Sequence, residues 1–337
     1  MKKRLNLIIG ILISAIFIYL AFRKVQFQEI VNSLKSANYF LILPNIVVVI
    51  LGMIIRAVRW RYLLESTGKF RARELFPSVM IGFMANNLLP ARLGEVVRAY
   101  SLGAKTGQSK SSIFASIVLE RVFDSLSLLA MFWLVILFIP FPPPIKKFGI
   151  VTLLGTVAII IFLIVLKRKT TSIVKLALKV LFFLPEKLSN KLENIMNKFA
   201  EGLSIFRHRQ ALTMIIFWSI FLWLITALSN YFVFMAFGLH PNITACFILL
   251  IFVAAGVMLP SAPGFVGVFQ AAAIGAFVLL NNLNLLGQHA AGPFGVSKGE
   301  ALSFSIVLWL CSYLPVTLLG LYYLKREHLS LKTIEGE

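Results

Sequence analysis

The sequence predicts an all-α integral membrane protein. Hydrophobic residues make up 59% of the 337-residue chain and charged residues only 14%, about half the share of a soluble domain. Apolar runs of about 18 or more residues recur along the chain, each long enough to cross a hydrocarbon core of roughly 30 Å as a helix. No ten-residue segments of alternating hydrophobicity are visible, and lipid requires every backbone polar group to have an internal partner. Helices are therefore expected throughout.

The first half of the sequence predicts three full spans and one broken segment. The spans cover residues 5–22, 39–63 and 113–139. Lys2, Lys3 and Arg4 precede the first span and no small-residue cleavage site follows it, so we expect an uncleaved helix with a cytoplasmic N-terminus. A short amphipathic connector at residues 25–34 is expected to lie at the outer surface.

The broken segment lies between the second and third of these spans. Residues 74–89 form a short apolar run that ends at Pro90, and residues 91–107 are too polar to face lipid. Proline removes a helix hydrogen bond and glycine permits a sharp turn. We therefore expect a helix that enters from the cytoplasm, breaks between Pro90 and Gly94, and returns.

The second half repeats this order of elements. Its full spans cover residues 148–166, 211–238 and 301–324. Two shorter apolar runs, residues 243–259 and 265–280, flank a second break. The candidate hinge residues of that break are Pro260, Pro263, Gly264 and Gly267.

The two halves, residues 5–139 and 148–324 approximately, are predicted to insert with opposite orientation as one membrane domain covering residues 1–337. A proline followed four residues later by a glycine marks each break. Inverted halves with paired broken helices are typical of transporters, whose binding site lies at the breaks near the midplane. Two proline-kinked helices without a function are the alternative. The predicted fold is an inverted-repeat bundle of about six full spans plus two broken or re-entrant segments.

The positive charge of the chain predicts its orientation. The net charge is +20, and the 33 Lys and Arg residues lie mostly between apolar runs. Basic loops stay on the cytoplasmic side, so we expect both termini and residues 64–112 and 167–210 in the cytoplasm and residues 281–300 outside, in a multi-pass protein of the cell (inner) membrane. The connector at 167–210 is basic and amphipathic, which favours binding to an anionic leaflet. Lipid, and no nucleic acid, is the expected partner of this charge.

No cofactor or metal site is visible in the sequence. Cys246 and Cys311 are isolated within apolar runs, and the four His residues are far from one another and from both cysteines. The phosphate-binding and catalytic motifs of soluble enzymes are absent as well. We therefore expect no cofactor, no metal and no catalytic centre of a soluble type.

Three charged residues stand inside the predicted span at residues 113–139: Glu120, Arg121 and Asp124. They lie about 10 to 17 Å along the helix axis, where each charge costs about 2.5–3.5 kcal/mol on insertion scales. Glu120 and Asp124 share a helix face, and Arg121 can pair with Asp124. The residues predict either the polar wall of a substrate or proton pathway or a buried ion pair that locks the bundle.

A second group of charged residues follows the first break. Arg92, Glu95 and Arg98 are spaced by three residues, and a helix that starts here offers N–H groups that favour an anion. Arginine adds a fork of donors that matches phosphate. The alternative for Arg92 and Arg98 is an ion-paired helix at the interface. We place Asn86 and Asn87, which precede the break, in the same candidate substrate site.

Arg56 and Arg59 end the second span and are candidates for the same site, forming a basic funnel toward a phosphate-bearing head group. Their alternative is plain positive-inside topology. Gln270, after the uncharged second break, is the last candidate substrate contact. The glycines of that break could equally serve close helix packing.

These segments resemble a known family. Residues 86–98, 120–124 and 260–267, in this order, are similar to the lysylphosphatidylglycerol synthase transmembrane region. This region is the flippase-like half of the bacterial multiple peptide resistance factor and also occurs as stand-alone bacterial and archaeal proteins. The resemblance covers about residues 5–325 and implies movement of a lipid with a polar head group between leaflets.

Two features depart from the family pattern. The sequence contains no soluble aminoacyl-transferase domain, so lysyl transfer to lipid is not expected. The last motif of the family often ends in Glu where this chain has Gln270, so an acidic role is not carried over to that position. Some stand-alone members are labelled dolichol-phosphate-sugar synthases, which keeps an enzyme open as an alternative. Asp124 is the only Asp in the chain, however, so a DxD-like metal site is absent.

The resulting expectation is a lipid translocase, or flippase, that works by alternating access and is a transporter rather than an enzyme. Its substrate is a phospholipid or a polyprenyl-phosphate-linked lipid, so its partners are membrane lipids that are anionic or carry phosphate. A second copy of the chain and a separate lipid-modifying enzyme are the protein partners considered. The alternatives are a membrane-embedded transferase acting on lipid phosphates and a structural membrane protein.

Overall fold

The computed structural model describes residues 2–23, 25–65, 67–89, 92–139, 143–168, 209–259, 261–286 and 295–329. Within these ranges the regular secondary structure is entirely helical. The helices are α1 (Lys2–Phe22), α2 (Phe27–Ser36), α3 (Ile42–Leu63), α4 (Ala72–Leu88), α5 (Gly94–Thr106), α6 (Lys110–Phe138), α7 (Pro143–Arg168), α8 (Arg209–Ala236), α9 (Ile243–Val257), α10 (Val268–Asn282) and α11 (Lys298–Arg326).

The all-α membrane fold is confirmed, and a helix occupies each of the six predicted spans. Four described helical stretches are long and apolar enough, by length and composition alone, to cross a membrane. These are Tyr39–Leu63, Arg209–Ala236, Pro263–Asn282 and Lys298–Arg326. A fifth arises if Gly10–Phe22 and Phe27–Ser36, which meet at 83°, form one bent span.

The two predicted breaks lead into helical stretches of different length. After the first break, α5 has only 13 residues. After the second, the turn Pro263–Phe265 continues into α10, and this 20-residue stretch is long enough to cross a membrane. Pro90, Pro260 and nearly all of the basic connector at 167–210 lie outside the described residues, so predictions about them stay predictions.

Local side-chain caps define where several helices begin. Ser109 accepts the Ser112 N–H at the start of α6, and Asn242 accepts the Ala245 N–H at the start of α9. Such caps satisfy backbone donors that the first helical turn leaves without a partner. The boundaries of these helices are therefore encoded locally.

The chain forms two compact units, each built from separated segments. The first contains Met1–Ile54, Val79–Val97 and Phe221–Glu337, and the second contains Ile55–Ser78 and Arg98–Ile220. Each unit takes residues from both predicted halves of the sequence. The single membrane domain and the inverted repeat stay predictions.

The core of the first unit is aromatic. Phe234 lies 5.6 Å from Phe277 and 4.7 Å from Phe304, measured between ring centroids. These rings bring α8, α10 and α11 together, and α9 and α1 pack on α10. Glycine allows α11 an additional close contact, because a Cβ atom on Gly320 would overlap the Met80 carbonyl and the Met84 side chain of α4.

The second unit buries Trp60 of α3 together with the apolar face of α6, including Ile113 and Ile117. Helices α6 and α7 pack side by side. A Cβ atom on Gly149 of α7 would come within 3.3 Å of Trp133. Small residues at such contacts are the usual means of packing helices in lipid. This packing holds α6, with its three charged residues Glu120, Arg121 and Asp124, inside the unit.

Candidate functional site

Six charged side chains of the second unit lie together in a group that we call the charge cluster. Helix α3 contributes two guanidinium groups, α5 one, and α6 one guanidinium and two carboxylates. The members are Arg56, Arg59, Arg98, Glu120, Arg121 and Asp124. The structure thus brings together the candidates from three separate segments of the sequence.

Glu120 is the centre of the charge cluster, and its side chain is fully buried. The Arg98 guanidinium forms a two-pronged contact with it, at 3.2 Å to Oε1 and 2.9 Å to Oε2. Arg121 lies 2.9 Å from Oε1 and Arg59 lies 3.4 Å from the same atom. Three guanidinium groups therefore surround one carboxylate, which offsets the cost of removing its charge from water.

Asp124, one helical turn further along α6, forms the second anionic position. Arg59 contacts its Oδ1 at 2.7 Å, whereas Arg121 and Arg56 lie 3.5 and 3.7 Å from Oδ2. The side chain of Asp124 is 12% exposed and that of Arg121 is 38% exposed, against 0% for Arg59. The charge cluster therefore has a fully buried end around Glu120 and a more accessible end around Asp124.

Three uncharged side chains support the charge cluster and were missed by sequence reasoning. The face of Trp60 lies 3.7 Å from the Arg98 guanidinium, and its indole N–H donates to Ser116 Oγ at 3.0 Å. Ser219 accepts a hydrogen bond of 3.1 Å from Arg59. Ser116 lies one turn before Glu120 on α6, so helical spacing could have identified it. Trp60 and Ser219 carry no such signal, because their role depends on packing between helices.

The structure gives Arg59 contacts that its topology-only alternative does not require. A positive-inside residue would sit in water or among head groups, but Arg59 is fully buried and touches both carboxylates. The structure also shows what Arg98 does with its fork of donors, which it presents to Glu120. Binding of phosphate by Arg98 stays a prediction, and it would require that contact to open.

The remaining candidates of the first break belong to the first compact unit. Asn86 Oδ1 accepts the Gly94 N–H at 2.9 Å, and Asn86 Nδ2 donates to Glu95 at 3.4 Å. A Cβ atom on Gly94 would overlap the Gly82 carbonyl. Asn86, Gly94 and Glu95 therefore close the turn between α4 and α5.

Arg92 has a left-handed backbone, with φ of 54°, and its guanidinium donates to the carbonyl of Val257 at the end of α9. It also lies 5.7 Å from the centroid of the Phe265 ring. A cation at a helix C-terminus satisfies a carbonyl that the last turn leaves without a partner. Arg92 thus links the first break to the second.

The second break is held by hydrogen bonds to its backbone. The Trp309 indole donates to the Gly264 carbonyl at 2.7 Å, and the Gln270 Oε1 accepts the Gly267 N–H at 2.7 Å. Gly264 and Gly267 have φ of 73° and 86°, which glycine adopts without strain. Pro263 is the first residue of the short helical turn Pro263–Phe265, which follows Ala262. Gln270, predicted as a substrate contact, therefore has a local capping role here.

Asn87 completes this region by donating to Thr317 Oγ1 at 2.8 Å and to the Tyr313 carbonyl at 3.4 Å. We call Asn87, Arg92, Val257, Gly264 and Trp309 the break junction. Its contacts are neutral apart from Arg92, and they join α4, α9 and α11 through the two interrupted segments. Described residues of the two interrupted segments are therefore in contact within one compact unit.

Sequence comparison supplies relatives for this chain. The membrane protein PH1989 of Pyrococcus horikoshii is 27% identical over 343 residues, which cover 95% of this chain and 96% of the relative. MJ1078 of Methanocaldococcus jannaschii is 29% identical over 70% of this chain and 90% of its own length. Both are UPF0104 membrane proteins. The glycosyltransferase AglD of Haloferax volcanii is 29% identical over 127 residues, which are 37% of this chain and 20% of AglD.

A family match covers a much larger share of the chain than the AglD similarity. Residues 7–320 match the family described as the lysylphosphatidylglycerol synthase TM region, and this stretch contains the charge cluster and the break junction. The sequence resemblance is therefore confirmed, and the chain is a multi-pass membrane protein that belongs to the lysylphosphatidylglycerol synthase transmembrane-region family.

Proposed function

We propose that this protein is a lipid translocase that moves a lipid with a phosphate-bearing head group between the leaflets of the cell (inner) membrane by alternating access. The observation that carries the proposal is the charge cluster, in which four guanidinium groups and two carboxylates lie together among the described residues. Guanidinium groups bind phosphate oxygens through paired hydrogen bonds. The proposal includes cytoplasmic termini, in accord with the basic loops.

A purely structural role is a weaker explanation of this arrangement. Buried ion networks are often no more stabilising than apolar residues of similar size, because each ion loses its hydration. Charged residues inside spans usually mark pathways for polar substrates. Six charged side chains on three helices carry a large desolvation cost. Leucine and alanine side chains could hold the same helices together without that cost.

The exposure gradient within the charge cluster supports a first contact of the head group at the Asp124 end. Arg56 and Arg121 lie 3.7 and 3.5 Å from Asp124, longer than the 2.7–2.9 Å typical of a strong charged hydrogen bond. A phosphate could take the place of Asp124 as their anionic partner. Arg98 and Glu120 would keep their contact and act as the fixed side of the site.

The test is transbilayer movement of fluorescent phospholipid in proteoliposomes that contain the purified full chain. Arg56→Gln and Arg121→Gln are expected to reduce the rate about tenfold or more, as for loss of one charged contact to the phosphate. Arg73→Gln is the matched control, because Arg73 is exposed and lies outside the charge cluster. If both cluster variants fold normally and move lipid at the wild-type rate, the proposal that lipid crosses through this site is contradicted.

A membrane-embedded transferase is the second candidate, and the AglD similarity favours it. That relative is a glycosyltransferase, although the shared stretch covers 20% of its length. Incubation of the purified protein with a radiolabelled nucleotide sugar and a polyprenyl phosphate separates the two candidates. A labelled lipid product that is lost in Asp124→Asn would favour the transferase, whereas lipid movement without product favours the translocase.

A further inference from the structure

The charge cluster holds more positive than negative charge. Its described members are four guanidinium groups and two carboxylates, which together carry a net charge of +2. Guanidinium groups keep their proton in proteins, so this excess is permanent. An excess of two charges in a largely buried site favours an anion that carries two charges. From this match we propose that the charge cluster recognises a phosphomonoester, a terminal phosphate with two negative charges, and not the singly charged phosphodiester of an ordinary phospholipid.

The charges of the cluster divide into a balanced pair and a positive remainder. Arg98 contacts both oxygens of Glu120, at 3.2 and 2.9 Å, and these two groups neutralise each other. The other guanidinium groups share Asp124 as a contact: Arg59 at 2.7 Å, Arg121 at 3.5 Å and Arg56 at 3.7 Å. Three positive charges therefore face the single negative charge of Asp124, and the excess of two lies at this end of the charge cluster.

Arg59 is an independent indication of a ligand at this end. Its side chain is fully buried, and its Nε and Nη2 atoms have no hydrogen-bond acceptor among the described residues. Nη2 lies 3.4 Å from Glu120 Oε1 without forming a hydrogen bond. Buried N–H groups normally have an acceptor, because desolvation without one is unfavourable. A phosphate oxygen beside Arg59 would supply the missing acceptor.

The Asp124 end is also where a ligand can enter. Asp124 and Arg121 are partly exposed, and Asp124 Oδ1 is the contact of Arg59 Nη1, so rotation of the Asp124 side chain would open Arg59 to the ligand. A phosphate bound there meets three guanidinium groups, and a phosphomonoester offers three terminal oxygens to them. A phosphodiester offers only two. With Asp124 still beside the site, two charges on the ligand balance the three guanidinium groups.

Taken with the proposed lipid translocase, on which this assignment rests, the substrate is a lipid whose head group ends in a free phosphate. The experiment measures thermal unfolding of the purified full chain in detergent at about pH 8, where a phosphomonoester has lost both protons. Dioleoyl phosphatidic acid, a phosphomonoester, is compared with dioleoyl phosphatidylmethanol, which has the same acyl chains and differs by one methyl group and one charge. Dioleoylglycerol, which lacks phosphate, is the control lipid, and sodium phosphate tests for binding of the free ion.

The wild type is expected to gain stability saturably from phosphatidic acid, as for a ligand that binds only the folded state. Its apparent affinity for phosphatidic acid is expected to exceed that for phosphatidylmethanol about tenfold or more, as for one additional charged contact. Sodium phosphate is expected to stabilise the protein only at much higher concentration, because it lacks the acyl chains.

Charge-changing variants test the charge balance directly. Arg121→Gln removes one of the two excess charges and is expected to reduce the preference for phosphatidic acid to about threefold or less. Arg56→Gln is expected to do the same and replaces Arg121→Gln if that variant fails to fold. Arg73→Gln is the control and is expected to keep the wild-type preference, because Arg73 is exposed and lies outside the charge cluster.

Equal affinity of the wild type for phosphatidic acid and phosphatidylmethanol would overturn the proposal, as would an unchanged preference in both cluster variants. Sodium phosphate that binds as tightly as phosphatidic acid would overturn the assignment to a lipid and identify the free ion as the ligand. Movement of both lipids in proteoliposomes is measured separately. A preference for phosphatidic acid without movement would contradict the translocase, whereas movement without a preference would contradict only the assignment of the head group.

Discussion

In the charge cluster each guanidinium faces a carboxylate, whereas in the break junction side-chain donors satisfy backbone carbonyl oxygens. Arg98 meets both oxygens of Glu120, but Arg92 donates to the carbonyl of Val257. Removing Glu120 would leave ionised groups without their counter-charge. Removing a donor from the junction would leave a neutral carbonyl. The same residue type, arginine, is therefore expected to have different tolerance to change in the two regions.

Glu120→Leu is expected to produce the largest loss of stability. It leaves Arg59, Arg98 and Arg121 without their shared carboxylate, and breaking a buried ion pair costs about 3–5 kcal/mol. The free energy of unfolding in mixed detergent micelles measures the effect, with Glu65→Leu as the exposed control. Wild-type stability in Glu120→Leu would mean that these arginines are hydrated, and the contrast with the junction would disappear.

Gly94→Ala is expected to lower the free energy of unfolding through overpacking at the first break. A Cβ atom there would overlap the Gly82 carbonyl, and backbone cannot move aside as a flexible side chain can. Overpacking of this kind costs about 1–3 kcal/mol. Gly107→Ala is a useful comparison, because Gly107 has φ of 70° and nothing lies within 4 Å of its added Cβ. A cost for Gly94→Ala no larger than that for Gly107→Ala would show that the neighbours of Gly94 move to admit the methyl group.

The paired changes Arg98→Lys and Arg92→Lys test the two arginine environments directly. Lysine keeps the charge but loses the planar fork, so Arg98→Lys is expected to lose about 1.5–3 kcal/mol through its contacts with Glu120 and Trp60. Arg92→Lys retains a cation at the end of α9 and is expected to cost less than about 1 kcal/mol. The reverse order of unfolding free energies would contradict the structural distinction. Lipid movement by the same variants tests the predicted phosphate fork.

Trp309→Phe is expected to have a small effect, similar in size to that of Arg92→Lys. The ring can still stack on Tyr313, at a centroid distance of 4.6 Å in the wild type, but the hydrogen bond to Gly264 is lost. A neutral hydrogen bond of this kind contributes about 0.5–1.5 kcal/mol. Protection of α10 amides from hydrogen exchange would fall locally if the bond holds the second break. Unchanged exchange would show that Gly264 is held by its other neighbours.

Part of the candidate site followed from local sequence rules. Glu120, Arg121 and Asp124 were predicted as a group, because helical periodicity places them within one turn of α6. The second break was also predictable, since Pro263, Gly264 and Gly267 occur together between apolar runs. Whether residues about four positions apart are neighbours depends on helix geometry alone, so residue spacing in the sequence predicts these interactions.

The sequence by itself determined the helices, their approximate limits and the presence of charged residues within an apolar helix. Apolar run length and helical period depend only on the local order of residues. Tertiary structure alone decided that Arg59 and Arg98 pair with carboxylates on α6, that Trp60 covers Arg98, and that Arg92 caps α9. These contacts join residues 22 to 165 positions apart. Packing between helices determines these partners, and local sequence patterns do not predict that packing.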